Sequence, residues 1–405
     1  MSVKFHNRRL ANGLQILAEE NPDAHSFAAG LFVRTGSRDE GPQLSGVSHF
    51  LEHMMFKGSA QYTWADVNRI FDEIGARYNA YTTQEMTAYY ANVLPEFTAR
   101  AVEHLSHLLR PAIRQSDFDT EKKVILEEIA MYLDDPGHRV YEALMAEYFG
   151  KHPLAGSVLG TMQSVQDMRR DQMVDYFRHR YGPGNMVLSA TGRLDFAQLV
   201  ELAEKYCGDW ESSAAPRNKT QPIVHGGRRE MSDAKLNRRY TMAMTPGPSA
   251  QDERRFAARV LADVIGDAEG SRFYWSLVEN AVAEEAEFGF YPHDGCGSFY
   301  ISLVTDSARA ARAMEIVQRE LKKIRDDLKD DEVERTKNKI ASSLVLQGEA
   351  PMGRMPSIGG QWVYNGDYRS LEQDMASLAG VSGDSLRQLL RDYPFDPMTV
   401  VSLGP

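Results

Sequence analysis

Residues 49–53 of the chain read HFLEH, a run whose residue types and order suit metal-assisted hydrolysis. On a helix, His49 and His53 stand at i and i+4 and project from one face, a turn apart. Two imidazoles so placed can share one tetrahedral zinc ion at bond lengths of about 2.0–2.1 Å. Glu52, one residue before the second histidine, reaches the open coordination position. Zinc lowers the pKa of a bound water from about 15.7 to about 7, so a nearby carboxylate can finish its deprotonation near neutral pH. The order His-x-x-Glu-His reverses the commoner His-Glu-x-x-His, and both occur as peptidase signatures. A histidine pair at this spacing also arises by chance on many helices. Here Phe50, Leu51, Met54, Met55 and Phe56 make the helix apolar nearly all round, so the pair is expected inside the protein. Buried imidazoles beside a carboxylate need a satisfying partner, and a zinc ion is one.

A catalytic zinc takes three protein ligands and keeps one position open. The segment EKKVILEEIAMYLDD offers the third. Glu121 and Glu128 are seven apart, two helical turns, and share a face, whereas Glu127 points about 100° away. Glu128 is then the candidate ligand, and Glu121 would hydrogen-bond a ligand histidine and fix its tautomer. Acidic residues are common on exposed helix faces, and the spacing alone leaves that reading open.

The surrounding elements follow from pattern. Asn12-Gly13 between two strand-like runs predicts a tight hairpin. Residues 25–35 (HSFAAGLFVRT) predict a strand, and residues 46–55 the helix that bears HFLEH. Residues 64–74 predict a second helix with Thr63 as N-cap, Asp66 three residues on, and Gly75 as the stop. The Tyr- and Thr-rich residues 78–93 predict a strand or strand pair. Helices are expected over 97–109 and 119–133, the latter closed by Asp134-Asp135-Pro136-Gly137. The most linker-like stretch is 208–233. On either side of it the order strand, helix, strand run, helices repeats, which points to an ancient duplication. The expected fold class is α+β, with two similar domains, each a mostly antiparallel sheet packed with helices. The expected boundaries are 1–212 for a metal-binding catalytic domain, 213–233 for a linker, and 234–405 for a second domain without a metal site.

Composition narrows the function. A chain of 405 residues exceeds one ordinary hydrophobic core. A formal net charge of −11 argues against nucleic acid as a partner. Cys207 and Cys296 are its two cysteines, read as free thiols in a reducing compartment. The N-terminus lacks the apolar core of a secretory signal, and no apolar run of about 18 residues suggests a membrane span. The expected location is cytoplasmic.

Together these residues resemble the pitrilysin-like, or inverzincin, zinc metallopeptidases, in the processing-peptidase-like branch related to the mitochondrial processing peptidase β subunit. GVSHFLEHMMFKGS matches the family's metal helix, EKKVILEEIAMYLDDP its distal glutamate helix, HPLAGSVLGT the segment after it, and RYGPGNMVLSATG the closing strand of its first domain. The likeness covers nearly the whole chain. In the family the distal ligand lies about 75 residues beyond the second histidine and ends a Glu-x6-Glu pair, a pattern that Glu128 and Glu121 meet. The resemblance implies one Zn2+ per chain on His49, His53 and Glu128, with Glu52 as general base. It implies a peptide substrate added as a strand along Asn79, Ala80 and Tyr81, with Asn79 close to the scissile bond, which would be β-augmentation. It also implies an enclosed chamber for unfolded peptides, and a homodimer or a heterodimer with a related chain.

One departure stands out. Active relatives carry an Arg and a Tyr seven apart in the second half, and residues 277–292 (LVENAVAEEAEFGFYP) lack that pair. Tyr291 or Tyr300 is a candidate substitute. The same departure supports an alternative, a non-catalytic or weakly active peptide-binding subunit of a processing-peptidase-like complex.

Overall fold

The computed structural model describes residues 3–213, 215–217 and 219–405. Three strands, β1 (Lys4–Arg9), β2 (Gln15–Glu20) and β3 (Phe27–Val33), precede helices α1 (Val47–Met55) and α2 (Trp64–Glu73). The strand pair β4 (Arg77–Thr82) and β5 (Thr87–Val93) leads to α3 (Thr98–Leu108), α4 (Gln115–Asp134) and α5 (Pro136–Phe149). Then come α6 (Met162–Asp167), α7 (Arg170–Arg180), β6 (Met186–Gly192) and α8 (Phe196–Cys207). The second half holds β7 (Gly227–Ser232), β8 (Arg239–Gly247), α9 (Arg255–Gly266), β9 (Glu285–Pro292) and β10 (Gly297–Thr305). It ends with α10 (Ala310–Asp327), α11 (Asp330–Glu349), α12 (Pro351–Asn365), α13 (Leu371–Ala379), α14 (Gly383–Asp392) and β11 (Thr399–Gly404). No helix among the described residues is long and apolar enough to cross a membrane.

Two compact units result, each assembled from separated stretches of sequence. The first comprises residues 1–130, 156–218 and 346–369. Its six-stranded sheet runs β1-β2-β6-β3-β5-β4. Every pairing is antiparallel except β2 with β6. The β1–β2 hairpin turns at Gly13, whose φ of +100° is the left-handed backbone that glycine tolerates best. All seven residues of β3 are buried because both sheet faces are covered. Phe27, Ala29, Leu31 and Val33 face the core built with α1, α3, α7 and α8, while Ala28 and Phe32 face Met355 and Ile358 of α12. Each large apolar side chain removed from water contributes about 1.5–3 kcal/mol. Helix α12 comes close to the sheet at glycines. A Cβ on Gly30 would lie 2.8 Å from Met355 Sδ, and one on Gly359 would lie 2.4 Å from the Phe32 ring.

The second unit comprises residues 131–155, 219–345 and 370–405. Its sheet runs β7-β11-β8-β10-β9, antiparallel except for β7 with β11. That order repeats β2-β6-β3-β5-β4 strand for strand, with the parallel pair in the same place. One face carries Phe288, Phe299, Ile301 and Leu303 against α9, α10 and α14. The other carries Met244, Val401 and Leu403 against Leu144, Met145 and Tyr148 of α5. The α+β class and the pair of similar sheets agree with the expectation from element order. Residues 213–233, read as a linker, contain the whole of β7, and Arg217 within them is buried.

Candidate metal centre

Helix α1 begins without a side-chain cap of its own. Gly46 precedes it at φ +90°, and a Cβ there would lie 2.5 Å from the carbonyl oxygen of Leu159. The carboxylate of Glu40 takes the capping role instead, accepting from the N–H of Gly46 and of Ser48 at 2.7 Å each. Those bonds satisfy N–H groups that a helix start leaves unpaired, although burial outweighs them and raises the Glu40 pKa to about 8. Seven of the nine α1 residues are buried, His49 among them. The helix is therefore wedged in the core, and its histidines emerge toward α4.

His49 Nε2 lies 3.8 Å from Glu128 Oε1, and His53 Nε2 lies 3.6 Å from Glu128 Oε2. The ligand atoms of His49, His53 and Glu128 fall within 4.8 Å of one another. Among the described residues this is the one such group of three, and the second unit holds none. The two nitrogen–oxygen gaps exceed a hydrogen bond. They approach the separation of about 3.3–3.6 Å between two ligands that share a tetrahedral ion at zinc bond lengths. Glu121 sits where two helical turns place it, with Oε1 accepting from His53 Nδ1 at 2.9 Å. That bond leaves the lone pair of His53 Nε2 directed at Glu128. Lys57 Nζ, 2.5 Å from Glu121 Oε2, completes the string. Glu127 is exposed and takes no part.

The electrostatics suit a cation. Burial, reinforced by the neighbouring His53, pulls His49 down to about 4, so it is neutral at physiological pH with a nitrogen free to ligate. Burial pulls His53 the same way, but the Glu121 hydrogen bond and the charge of Glu128 outweigh it and raise its pKa. Burial pushes Glu121 up, yet its bonds to His53 and Lys57 hold it below the usual carboxylate value. Burial also raises Glu52, against the pull of a hydrogen bond from Thr82. Three carboxylates thus converge on two imidazoles with one lysine among them. A divalent cation on His49, His53 and Glu128 fits this donor set.

Strand β4 borders the site as the edge of its sheet, paired among the described residues with β5 alone. Ala80 packs toward the α1 side, and Thr82 bonds to Glu52 on that side. The ring of Tyr81 lies on the opposite face, in the cluster around α12. Asn79 is exposed, and its Oδ1 accepts from the N–H of Ala80 at 2.9 Å. Of the predicted substrate strand, then, Ala80 lies on the α1 side of the sheet and the Tyr81 ring on the other. Tyr291 and Tyr300 stack with ring centroids 4.2 Å apart within the second unit.

Two contacts near the site were not apparent from sequence. Thr82 Oγ1 is 2.5 Å from Glu52 Oε2. A buried ionic cluster braces the turns around it: Arg217 forks onto Asp39 at 3.0 and 2.6 Å, and Arg38 meets Glu85 at 2.5 Å. Charged residues at 38, 39, 85 and 217 follow no single periodicity, so only the tertiary fold unites them.

Similarity to known proteins extends over nearly the whole chain. Residues 15–162 match the family model described as insulinase (peptidase family M16), and residues 167–340 match the peptidase M16 inactive domain. A protein of Streptomyces coelicolor named an uncharacterized zinc protease is 31% identical, covering 98% of this chain and 88% of its own. The fold is shared by a protease from Helicobacter pylori, at a TM-score of 0.92 and 18% identity over the whole of both chains. It is shared also by a Pseudomonas fluorescens structure titled peptidase M16 inactive domain, at 0.93 and 19%, covering 99% of this chain and 98% of that one.

Proposed function

Because the chain belongs to the insulinase family of peptidases, family M16, we propose that it is a zinc-dependent endopeptidase acting on unfolded peptides. The observation that carries this reading is the convergence of His49, His53 and Glu128 beside the carboxylate of Glu52. His49, His53 and Glu128 hold the ion, and Glu121 keeps His53 in the ligating tautomer. What a bound zinc supplies is Lewis acidity, which acidifies water and polarises a peptide carbonyl. Glu52 accepts the proton that the attacking water gives up and passes it to the departing amine. Its raised pKa, caused by burial, suits a group that must both take and return a proton. The edge of β4 at Asn79 and Ala80 receives the peptide as an added strand through main-chain hydrogen bonds. Association into a dimer with a like or related chain, and a cytoplasmic location, belong to the same reading.

Glu52→Gln should retain one zinc per chain and lose cleavage of an internally quenched peptide, and chelation should abolish wild-type cleavage. Wild-type rates in the Gln variant would remove Glu52 from the role of base. Equal cleavage by metal-free protein would remove zinc. The second reading, a non-catalytic peptide-binding subunit, is favoured by the Arg/Tyr pair absent from residues 277–292. It is distinguished by a zinc-loaded protein that binds peptides without cleaving them.

A further inference from the structure

Strand β4 ends at Thr82, whose side chain sits on the α1 side of the sheet. Its hydroxyl donates to Glu52 Oε2 at 2.5 Å and, among the described residues, is the hydrogen-bond partner of that carboxylate. An O–H···O⁻ bond of this length is charge-assisted and roughly twice as strong as a neutral one. Glutamate carries three rotatable side-chain bonds, so a base at the end of one must be held if it is to meet its proton in a fixed place.

The donor is itself fixed. Thr82 pairs with Thr87 across the turn between β4 and β5. Within that turn Thr83 Oγ1 accepts from the N–H of Met86 at 3.0 Å and of Glu85 at 3.2 Å. Glu85 is 1% exposed and bound to Arg38, while the Arg217 guanidinium donates to the Glu85 carbonyl. The end of β4 is thus tied through its turn into a buried ionic cluster.

We infer that Thr82 is a positioning residue for Glu52: it ties one carboxylate oxygen down, leaves the other to exchange the proton, and registers the base to the strand beside it. This rests on the peptidase reading, in which β4 is also the strand that substrate joins. Peptide and base then take their positions from one element. A residue placed on the edge strand only for packing would need no hydroxyl, and valine would serve.

The test compares Thr82→Val, which keeps the shape and removes the hydroxyl, with Thr82→Ser, which keeps the hydroxyl. A base displaced by about 1 Å costs on the order of 100-fold, so Val should lower kcat by about 10- to 100-fold. KM and zinc content should stay at wild-type values, and Ser should restore most of the loss. Wild-type kcat in Val, or Ser as impaired as Val, overturns the inference. A second measurement needs no turnover. The thermal midpoint is read for Thr82→Val in the wild-type and in a Glu52→Leu background. The drop expected in the first should vanish in the second, and equal drops in both overturn the contact. If zinc-loaded wild type cleaves nothing, the peptidase reading fails while this cycle still decides whether Thr82 holds Glu52.

Discussion

Arg354 of α12 and Glu19 of β2 form a forked, buried ion pair across 335 positions of sequence. Arg354 Nε lies 2.8 and 3.0 Å from the two Glu19 oxygens, and Tyr368 Oη donates to the same carboxylate at 2.8 Å. Both charged residues are 6% exposed. Removing one partner from such a pair strands the other charge in the interior. Arg354→Met is therefore expected to lower unfolding free energy by about 3–5 kcal/mol, and Glu19→Met added to it should recover most of the loss. Urea denaturation of the single and double variants measures this. A single variant within 1 kcal/mol of wild type, roughly the value of an exposed pair, would contradict it.

On the proposed reading Glu121 acts on the metal through His53, its hydrogen-bond partner. With the carboxylate gone, the imidazole keeps its place but loses the bond that fixes its tautomer. Zinc affinity in Glu121→Ala should fall by about 10- to 100-fold, read by competition with a chromophoric chelator. An unchanged dissociation constant would show that the bond at 2.9 Å does not orient the ligand.

Histidine 104 sits in the core of the first unit, fully buried, with Nε2 donating to the Val67 carbonyl at 2.9 Å. Burial holds its pKa at about 4, against an ordinary value of 6.5. Below pH 6.5 the unfolded chain takes up a proton that the folded chain refuses until about pH 4. Stability from this group is thus complete above 6.5 and lost as pH falls through that window, by about 2 kcal/mol between pH 7 and pH 5. His104→Leu should shrink the measured pH 7 to pH 5 difference by that amount, and an unaltered difference would place the acid sensitivity elsewhere.

Adjacent glycines of α12 should respond in opposite senses to alanine. Any helix-interior Gly→Ala change gains about 0.8–1 kcal/mol from backbone propensity. At Gly360 the new methyl would stand 3.8 Å from Met86 Cε, an ordinary contact, so the gain should be realised. At Gly359 it would meet the Phe32 ring at 2.4 Å, and overpacking of about 1–3 kcal/mol should exceed the gain. Thermal midpoints that move the same way in both variants would contradict the close approach of α12 to β3.

Much of the site was legible because it is written at helical spacings. The i, i+4 step of His49 and His53 and the two-turn step of Glu121 and Glu128 survive folding unchanged, as does the Thr63–Asp66 capping box. The hidden parts depend on tertiary partners. No local pattern says that Thr82 Oγ1 meets Glu52, that Tyr81 turns to the far face of its sheet, or that Arg217, inside a polar stretch that reads as linker, packs against Asp39. Residues 25–35 read as a strand, but that both of its faces are covered emerges only in the structure. Which helix covers the second face could not be read, because α12 lies more than 300 residues downstream.

That covering helix sets a schedule for biogenesis. Strand β6, the last of the first sheet, is complete at Gly192, whereas the stretch that shields Phe32 and Val187 ends at residue 369. At ribosomal rates of about 5–20 residues per second, the sheet waits on the order of 10–35 s with an apolar face open to water. Throughout that interval the nascent chain is expected to need shielding, and a stall between residues 192 and 346 leaves an adhesive partial chain that already carries His49, Glu52, His53 and Glu128.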